Sequence, residues 1–288
     1  MTYKYFGRED KKTRFINDLK QNLFKLSTWI VTLLVIILIF SITIFISTNV
    51  VRTKNMKIST SNIKDVKIVQ LSDFNNKVVK NLDKKVNDLN PDIVVITGDL
   101  VDKYKTQEID ENKLLKQFKN IKSPIFFVPG DMEHSYHNYD TFKNKMQKYG
   151  IYVLENTSQE IEINKRKITI TGIVDPSFYY EDLEQFNDKL KELKVDGLQI
   201  LLSHRAELMN LYTIHKYELV FTGHTHGGYV KLPFIHALFV SNQGLLPKYV
   251  DGKYTKDETT MIVSSGLGVG QFPFRLFNLP KIVNVVIK

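Results

Sequence analysis

Five short apolar runs in this chain each end on an aspartate or a histidine. They read VKIVQLSD (66–73), DIVVITGD (92–99), PIFFVPGD (124–131), LQILLSH (198–204) and YELVFTGH (217–224). Runs of this length, rich in Val, Ile and Phe and closed by Gly or Pro signals, predict buried strands. Stretches with helical spacing separate the first three, at 77–89 and 114–121, and another follows at 140–149. A β-α-β-α-β opening predicts parallel strands with helices packed outside them.

The second half is richer in strands. Residues 151–175 predict two or three strands with a hairpin at Asn164-Lys165, and a helix falls at about 181–192. MIVSSG (261–266) and KIVNVVIK (281–288) predict two more strands. The fold class is α/β: two mixed sheets face to face, helices outside both, a four-layer α/β/β/α sandwich over 64–288.

Ligands of open α/β sheets bind beyond the carboxyl ends of the strands. One aspartate there is commonly a helix cap. Capping does not account for Asp73, Asp99, Asp131, His204 and His224 together, with His226 two residues beyond. Mixed carboxylate and imidazole sets suit divalent cations such as Mn, Fe or Zn. The sharpest piece is Thr222-Gly223-His224-Thr225-His226-Gly227-Gly228. Side chains two apart on extended backbone point the same way, so both imidazoles can serve one site. The flanking glycines admit close approach of backbone.

An 18-residue run from Trp29 to Ile46, WIVTLLVIILIFSITIFI, carries only Thr and Ser as polar interruptions. With its flanks it approaches the roughly 20 residues needed to cross a bilayer. No small-x-small pattern follows, so an uncleaved signal anchor at 27–48 is expected rather than a removed signal peptide. Seven basic residues precede it (Lys4, Arg8, Lys11, Lys12, Arg14, Lys20 and Lys25), against Arg52, Lys54 and Lys57 after it. The positive-inside bias predicts a cytoplasmic basic segment at 1–26 and everything past about residue 50 outside, in a single-pass protein of the cell membrane. Residues 49–63 are polar and aperiodic, which predicts a juxtamembrane linker.

Cysteine is absent, which excludes disulfides, thiolate nucleophiles and Cys-ligated zinc. The net charge of +9 raises a nucleic-acid reading. The lysines, however, are scattered and alternate with acids through 103–122 and 181–194, as on solvated helix faces, so no nucleic-acid partner is expected.

Asp73 in LSDFN, Gly98-Asp99-Leu100-Val101-Asp102, Gly130-Asp131-Met132-Glu133, Ser203-His204-Arg205 and Gly223-His224-Thr225-His226-Gly227 resemble, in order and spacing, the blocks of the calcineurin-like metallophosphoesterases. NQGLLPKY (242–249) and GLGVGQFPFR (266–275) resemble the bacterial membrane-associated branch, some of whose members act on lipid or cell-wall phosphates. The resemblance implies two divalent metal ions bridged by Asp99, the first held by Asp73 and His226, the second by His204 and His224. Cations about 3.5–4 Å apart can clamp phosphate oxygens and support in-line displacement. Arg205 stands where it can assist an anionic substrate or form a structural salt bridge.

Three positions depart from the family pattern. Asn75 replaces the histidine of an Asp-x-His block, an amide oxygen being a harder and weaker ligand than imidazole. Asp131 replaces an asparagine and can still ligate. Met132 replaces the histidine associated with leaving-group protonation, and a thioether donates no proton. His134, or His137, is the expected substitute acid. Tyr229 stands where glutamine is common. The chain is expected to hydrolyse an extracytoplasmic phosphate ester, lipid- or wall-linked, through Asp99, His204 and His134. The other expectation is a weak or inactive relative that binds a phosphorylated ligand or protein partner.

Overall fold

The computed structural model describes residues 10–102, 109–228, 230–231, 237, 239–240, 242–270 and 272–288. The chain divides into two compact units, Met1–Phe45 and Ile46–Lys288.

Helix α1 (Lys11–Asn49) is 39 residues long and, as far as Phe45, belongs to the first unit. It begins well ahead of the expected span and includes Lys11, Lys12, Arg14, Lys20 and Lys25. Its apolar window has a mean hydropathy of 3.0, long and apolar enough to cross a membrane. The polar interruptions are dealt with locally. The hydroxyls of Thr28, Thr32, Ser41 and Thr43 each donate to the carbonyl four residues earlier, which removes a polar penalty from an apolar face.

The second unit opens with a difference from expectation. Residues 52–58, read from sequence as linker, form strand β1 (Arg52–Ile58). Its composition is polar because most of one face is exposed, and only Ile58 is fully buried. Four strands follow in parallel: β2 (Val66–Leu71), β3 (Ile93–Thr97), β4 (Ile125–Val128) and β5 (Ile151–Val153). Helices α2 (Leu82–Asn87), α3 (Glu111–Lys116), α4 (Asp131–His134) and α5 (Tyr139–Lys148) lie between or beside them. Helix α2 starts five residues later than its spacing predicts, because Asn81 takes a left-handed φ of 55°. Helix α3 is capped by Asp110, whose side chain accepts the Lys113 N–H.

A hairpin, β6 (Thr157–Ile163) with β7 (Arg166–Gly172), turns at Asn164-Lys165, both at positive φ. Then come α6 (Leu183–Leu193), β8 (Gln199–Leu202), α7 (Met209–Ile214) and β9 (Leu219–Thr222). A short ribbon, β10 (Phe239–Val240) with β11 (Gly244–Leu245), precedes β12 (Gly252–Lys256), β13 (Thr259–Val263) and β14 (Lys281–Ile287).

Two six-stranded mixed sheets result, ordered β1-β14-β2-β3-β4-β5 and β12-β13-β9-β8-β7-β6. Side-chain alternation sorts their apolar residues into three cores. Ile68, Val95, Phe126 and Val285 meet Ile170, Ile200, Leu202 and Phe221 between the sheets. Val69, Val94 and Phe127 face outward to Leu82, Leu115 and Phe142 of the helices. Leu201, Val220 and Met261 face outward to Phe186, Leu190 and Met209 on the other side. This is the four-layer α/β/β/α sandwich. Its parallel strands β2, β3, β4, β8 and β9 deliver their carboxyl ends, and the loops that follow them, to one region.

Candidate metal centre

The backbone after β2 and the backbone after β3 run side by side. The N–H groups of Asp73 and Asn75 donate to the carbonyls of Gly98 and Asp99, each at 3.0 Å. Within the second sheet Gly223 N–H donates to the His204 carbonyl at 3.0 Å, and across the sandwich His224 N–H donates to Asp73 Oδ1 at 3.0 Å. Loops of both sheets are thereby stitched into one site.

Glycine is required at two points of that seam. A Cβ on Gly98, which has a φ of +84°, would lie 2.4 Å from His204 Nδ1, and one on Gly223 would lie 2.0 Å from Ser72 Oγ. Five of the seven residues expected as ligands are held in the left-handed region: Asp73 (φ 50°), Asn75 (46°), Asp99 (56°), His224 (66°) and His226 (49°). Non-glycine residues avoid that region, and clusters of them mark functional sites.

Two groups of side chains converge. Asp99, Asp131, His204 and His224 each offer a ligand atom, all within 4.8 Å of one another; Asp73, Asp99 and His226 form a second such group. Asp99 belongs to both. His204 Nε2 lies 3.3 Å from Asp99 Oδ2 and 3.2 Å from Asp131 Oδ1. His224 Nδ1 is 3.1 Å from the same Asp131 oxygen, and His226 Nε2 is 3.8 Å from Asp73 Oδ1. His204 is oriented from behind: its Nδ1 lies 2.7 Å from the Thr97 carbonyl, which fixes the N–H there and turns Nε2 inward.

Such crowding is reflected in the protonation states. Burial first, and then neighbouring acids, push the Asp99 carboxyl up to about 8 against the pull of His204. Burial also penalises ionised Asp131, but hydrogen bonds to His204 and His224 outweigh it and hold that carboxyl well below the usual range. Burial works against charged His204, yet Asp99 and Asp131 raise it well above the ordinary imidazole value. For His226 burial prevails over the attraction of Asp73, and Arg275 reinforces it, so the imidazole falls to about 4.

Do these residues suit a divalent cation? Asp73 Oδ2 and His224 Nε2 are buried and have no hydrogen-bond partner, a costly state for a polar atom. Two carboxylates and two imidazoles on one side, and two carboxylates and one imidazole on the other, match the ligand preferences of such metals. The residues fit.

Other expected residues fall differently. Asn75 is fully buried beside Asp73. Met132 donates its backbone N–H to Asp99 Oδ1 at 3.1 Å, while its side chain packs into the outer core. His134 is exposed at the end of α4, its ring centroid 4.8 Å from that of Phe178, and it belongs to neither ligand group. His137 lies exposed beside Asn138. Tyr229 lies outside the described residues. Arg205 forms the salt bridge: Nε and Nη2 grip Asp175 at 2.6 and 2.9 Å, and Nη2 also reaches Glu181 at 2.9 Å.

Several residues to which the sequence assigned no role support the site. Glu133 accepts the N–H groups of Asp99, Val101 and Gly130. Arg275 is fully buried and donates to the carbonyls of His226, Ser265 and Gly268. Asn278 donates to the carbonyls of His226 and Gly228, both at 2.6 Å. Glu133 and Arg275 lie within the blocks that carry the resemblance, but most of their partners are backbone atoms distant in the chain, which the sequence does not reveal.

Residues 66–228 match the model of the calcineurin-like phosphoesterase family. An uncharacterized metallophosphoesterase of Campylobacter jejuni is 31% identical over 98% of this chain and 73% of its own length. One from Bacillus subtilis is 27% identical over 77% of this chain and 79% of its own. A transmembrane protein with a metallophosphoesterase domain from Danio rerio is 28% identical over 70% of this chain and 47% of its own. Among solved structures, TT1561 of Thermus thermophilus aligns with a TM-score of 0.45 at 14% identity, over 71% of this chain and 91% of that one. By the family match and by the extent of the Campylobacter similarity, this chain belongs to the calcineurin-like phosphoesterase family.

Proposed function

We propose that the protein is a membrane-anchored, dinuclear metal-dependent phosphoesterase. The observation that carries the reading is Asp99, the one side chain common to both ligand groups. Asp73, Asn75 and His226 would hold one ion, and Asp131, His204 and His224 the other, with Asp99 between. When bound, such a pair supplies positive charge against phosphoryl oxygens and acidifies water. The chain's own part is orientation. Thr97 sets the His204 ring, Glu133 sets the Asp99 backbone, and Arg275 with Asn278 sets the His226 loop.

His134 is the candidate proton donor to the leaving group, by its exposure two residues beyond Met132. The basic flank of α1 supports a cytoplasmic N-terminus and an extracytoplasmic domain. A domain tethered there acts on phosphate esters of that face, of which lipid and cell-wall phosphates are the abundant kinds. Burial of the Met132 side chain favours a second reading, a phosphate-binding protein with little turnover, because no proton donor stands at that position.

The test is direct. Full-length protein purified with Mn should contain close to two ions per chain and hydrolyse an activated aryl phosphate diester, both lost in Asp99→Ala. One ion or none, with no hydrolysis, overturns the enzyme reading. Loss of turnover on an alkyl phosphate in His134→Ala, with the activated ester unaffected, is expected if His134 is the acid.

A further inference from the structure

The last turn of α1 belongs to the second unit and is tied into it. Ser47 is buried, and its Oγ accepts the Phe277 N–H at 3.1 Å. Thr48 Oγ1 accepts the Arg275 N–H at 3.1 Å. The Thr48 carbonyl, one of those left without a helical partner at the end of α1, accepts Lys77 Nζ at 2.7 Å. The apolar run stops at Ile46, one residue before these contacts. If that run fills the hydrocarbon, whatever is bonded to residues 47 and 48 stands at the bilayer boundary.

What stands there is unlike ordinary protein surface. Phe277, bonded to Ser47, is 51% exposed and Val50, next in the chain after α1, 42%; Phe272, three residues before the Thr48-bonded Arg275, is 47% exposed. Large apolar side chains on the rim of a membrane anchor gain by entering the headgroup region, where aromatic rings are favoured. The charge nearby is complementary to lipid. The Arg52 N–H bonds the Pro280 carbonyl at 2.9 Å. Next to it Lys281 gathers with Lys54 and Lys231 around the single carboxylate of Asp251, leaving two positive charges in excess. Basic groups at this level attract anionic headgroups.

We propose that this face of the second unit lies on the lipid surface, with Phe272 and Phe277 seated among the headgroups beside the anchor. The proposal rests on the membrane-span reading and adds a second contact to it. It also binds the metal centre to the membrane, since Arg275, between the two aromatic tips, holds the His226 and Ser265 carbonyls. The occupant is the bilayer itself, and its chemistry is an apolar interface carrying anionic headgroups.

The chain's only tryptophan, Trp29, lies in the apolar run and gives an internal reference. Full-length protein is placed in nanodiscs of phosphatidylcholine and phosphatidylglycerol, with or without lipid brominated near the headgroup end of its acyl chains. Wild-type protein reports Trp29. In a Trp29→Phe background, Phe272→Trp and Phe277→Trp each report one tip, and Ile214→Trp reports an exposed site (68%) on α7. Brominated lipid should quench Trp29 and remove about half or more of the emission at both tips, with the Ile214→Trp signal nearly unchanged. Quenched Trp29 with tips quenched no more than the Ile214→Trp control overturns the docking and leaves the anchor standing. Unquenched Trp29 overturns the anchor, and the docking falls with it.

Discussion

Glu133 accepts the backbone N–H of Asp99 at 2.8 Å through the same oxygen that takes the N–H of Gly130 at 2.8 Å. A carboxylate in the only turn of one short helix thus fixes the loop that presents Asp99. Burial raises the Glu133 carboxyl, and three backbone N–H groups oppose that rise. Glu133→Gln keeps the size but replaces one acceptor by a donor. It should cost about 1–3 kcal/mol in denaturant unfolding and weaken Mn binding in calorimetry, because Asp99 loses its backbone anchor.

Removing the shared ligand should empty both sites. Asp99→Asn is expected to bring Mn content from about two ions per chain to fewer than one, read by elemental analysis. Arg205→Lys should leave metal content intact. It replaces a two-pronged grip on buried Asp175 by a point charge, at a cost of about 2 kcal/mol in unfolding free energy.

The protonation of Asp99 gives metal binding a pH dependence of definite sign. Its folded carboxyl sits near 8, above the ordinary value, so in metal-free protein the folded state holds a proton that the unfolded chain has released. His204, also raised, acts in the same direction. Above pH 7, where the lowered His226 is neutral folded or unfolded, metal-stripped protein should lose stability as pH rises toward 9. Mn affinity should increase over the same interval, with proton release that calorimetry in buffers of different ionisation enthalpy detects. Flat stability and no released proton would contradict the assignment.

Asp251 makes the opposite prediction at low pH. Burial raises its carboxyl, but Lys231, Lys281 and Lys54 together bring it far below the ordinary carboxylate value. Its contribution is complete above the unfolded value near 4 and is lost progressively as pH falls from there toward the far lower folded value. Asp251→Asn should cost about 2 kcal/mol at pH 7, after allowance for solvent around the lysines. The difference from wild type should shrink in acid, as measured by urea unfolding from pH 6 to pH 3.

Met132→His tests the departed position. If the thioether leaves this position without a proton donor, the substitution should raise turnover on an alkyl phosphate by on the order of 10–100-fold. The activated aryl ester should change little. The packed site of Met132 sets a stability cost, so both rates are referred to metal-loaded protein.

Much of this architecture is legible in the chain because strand and ligand coincide. Apolar runs ending on Asp or His announce both a buried strand and its functional end, and 66–73, 92–99, 198–204 and 217–224 fold that way. Asp131 is subtler: β4 stops at Val128, and the aspartate opens α4. Strand β1 is illegible because its polar residues face solvent and its order comes from pairing with β14. Helix α2 is shortened by the conformation of Asn81, which periodicity does not encode. The roles of Glu133, Arg275 and Asn278 are not legible, since most of their partners are main-chain groups brought near by tertiary structure.

The position of β14 has a consequence for biogenesis. It lies between β1 and β2, antiparallel to β2, though more than two hundred residues separate Leu71 from Lys281. Pairing at such separation is slow, and until residue 287 has been synthesised β1 has no partner strand and β2 is paired only on the side of β3. A ribosome still working on this polypeptide therefore carries two open edges, and holding them apart from other strands becomes a task for whatever machinery accompanies the nascent chain.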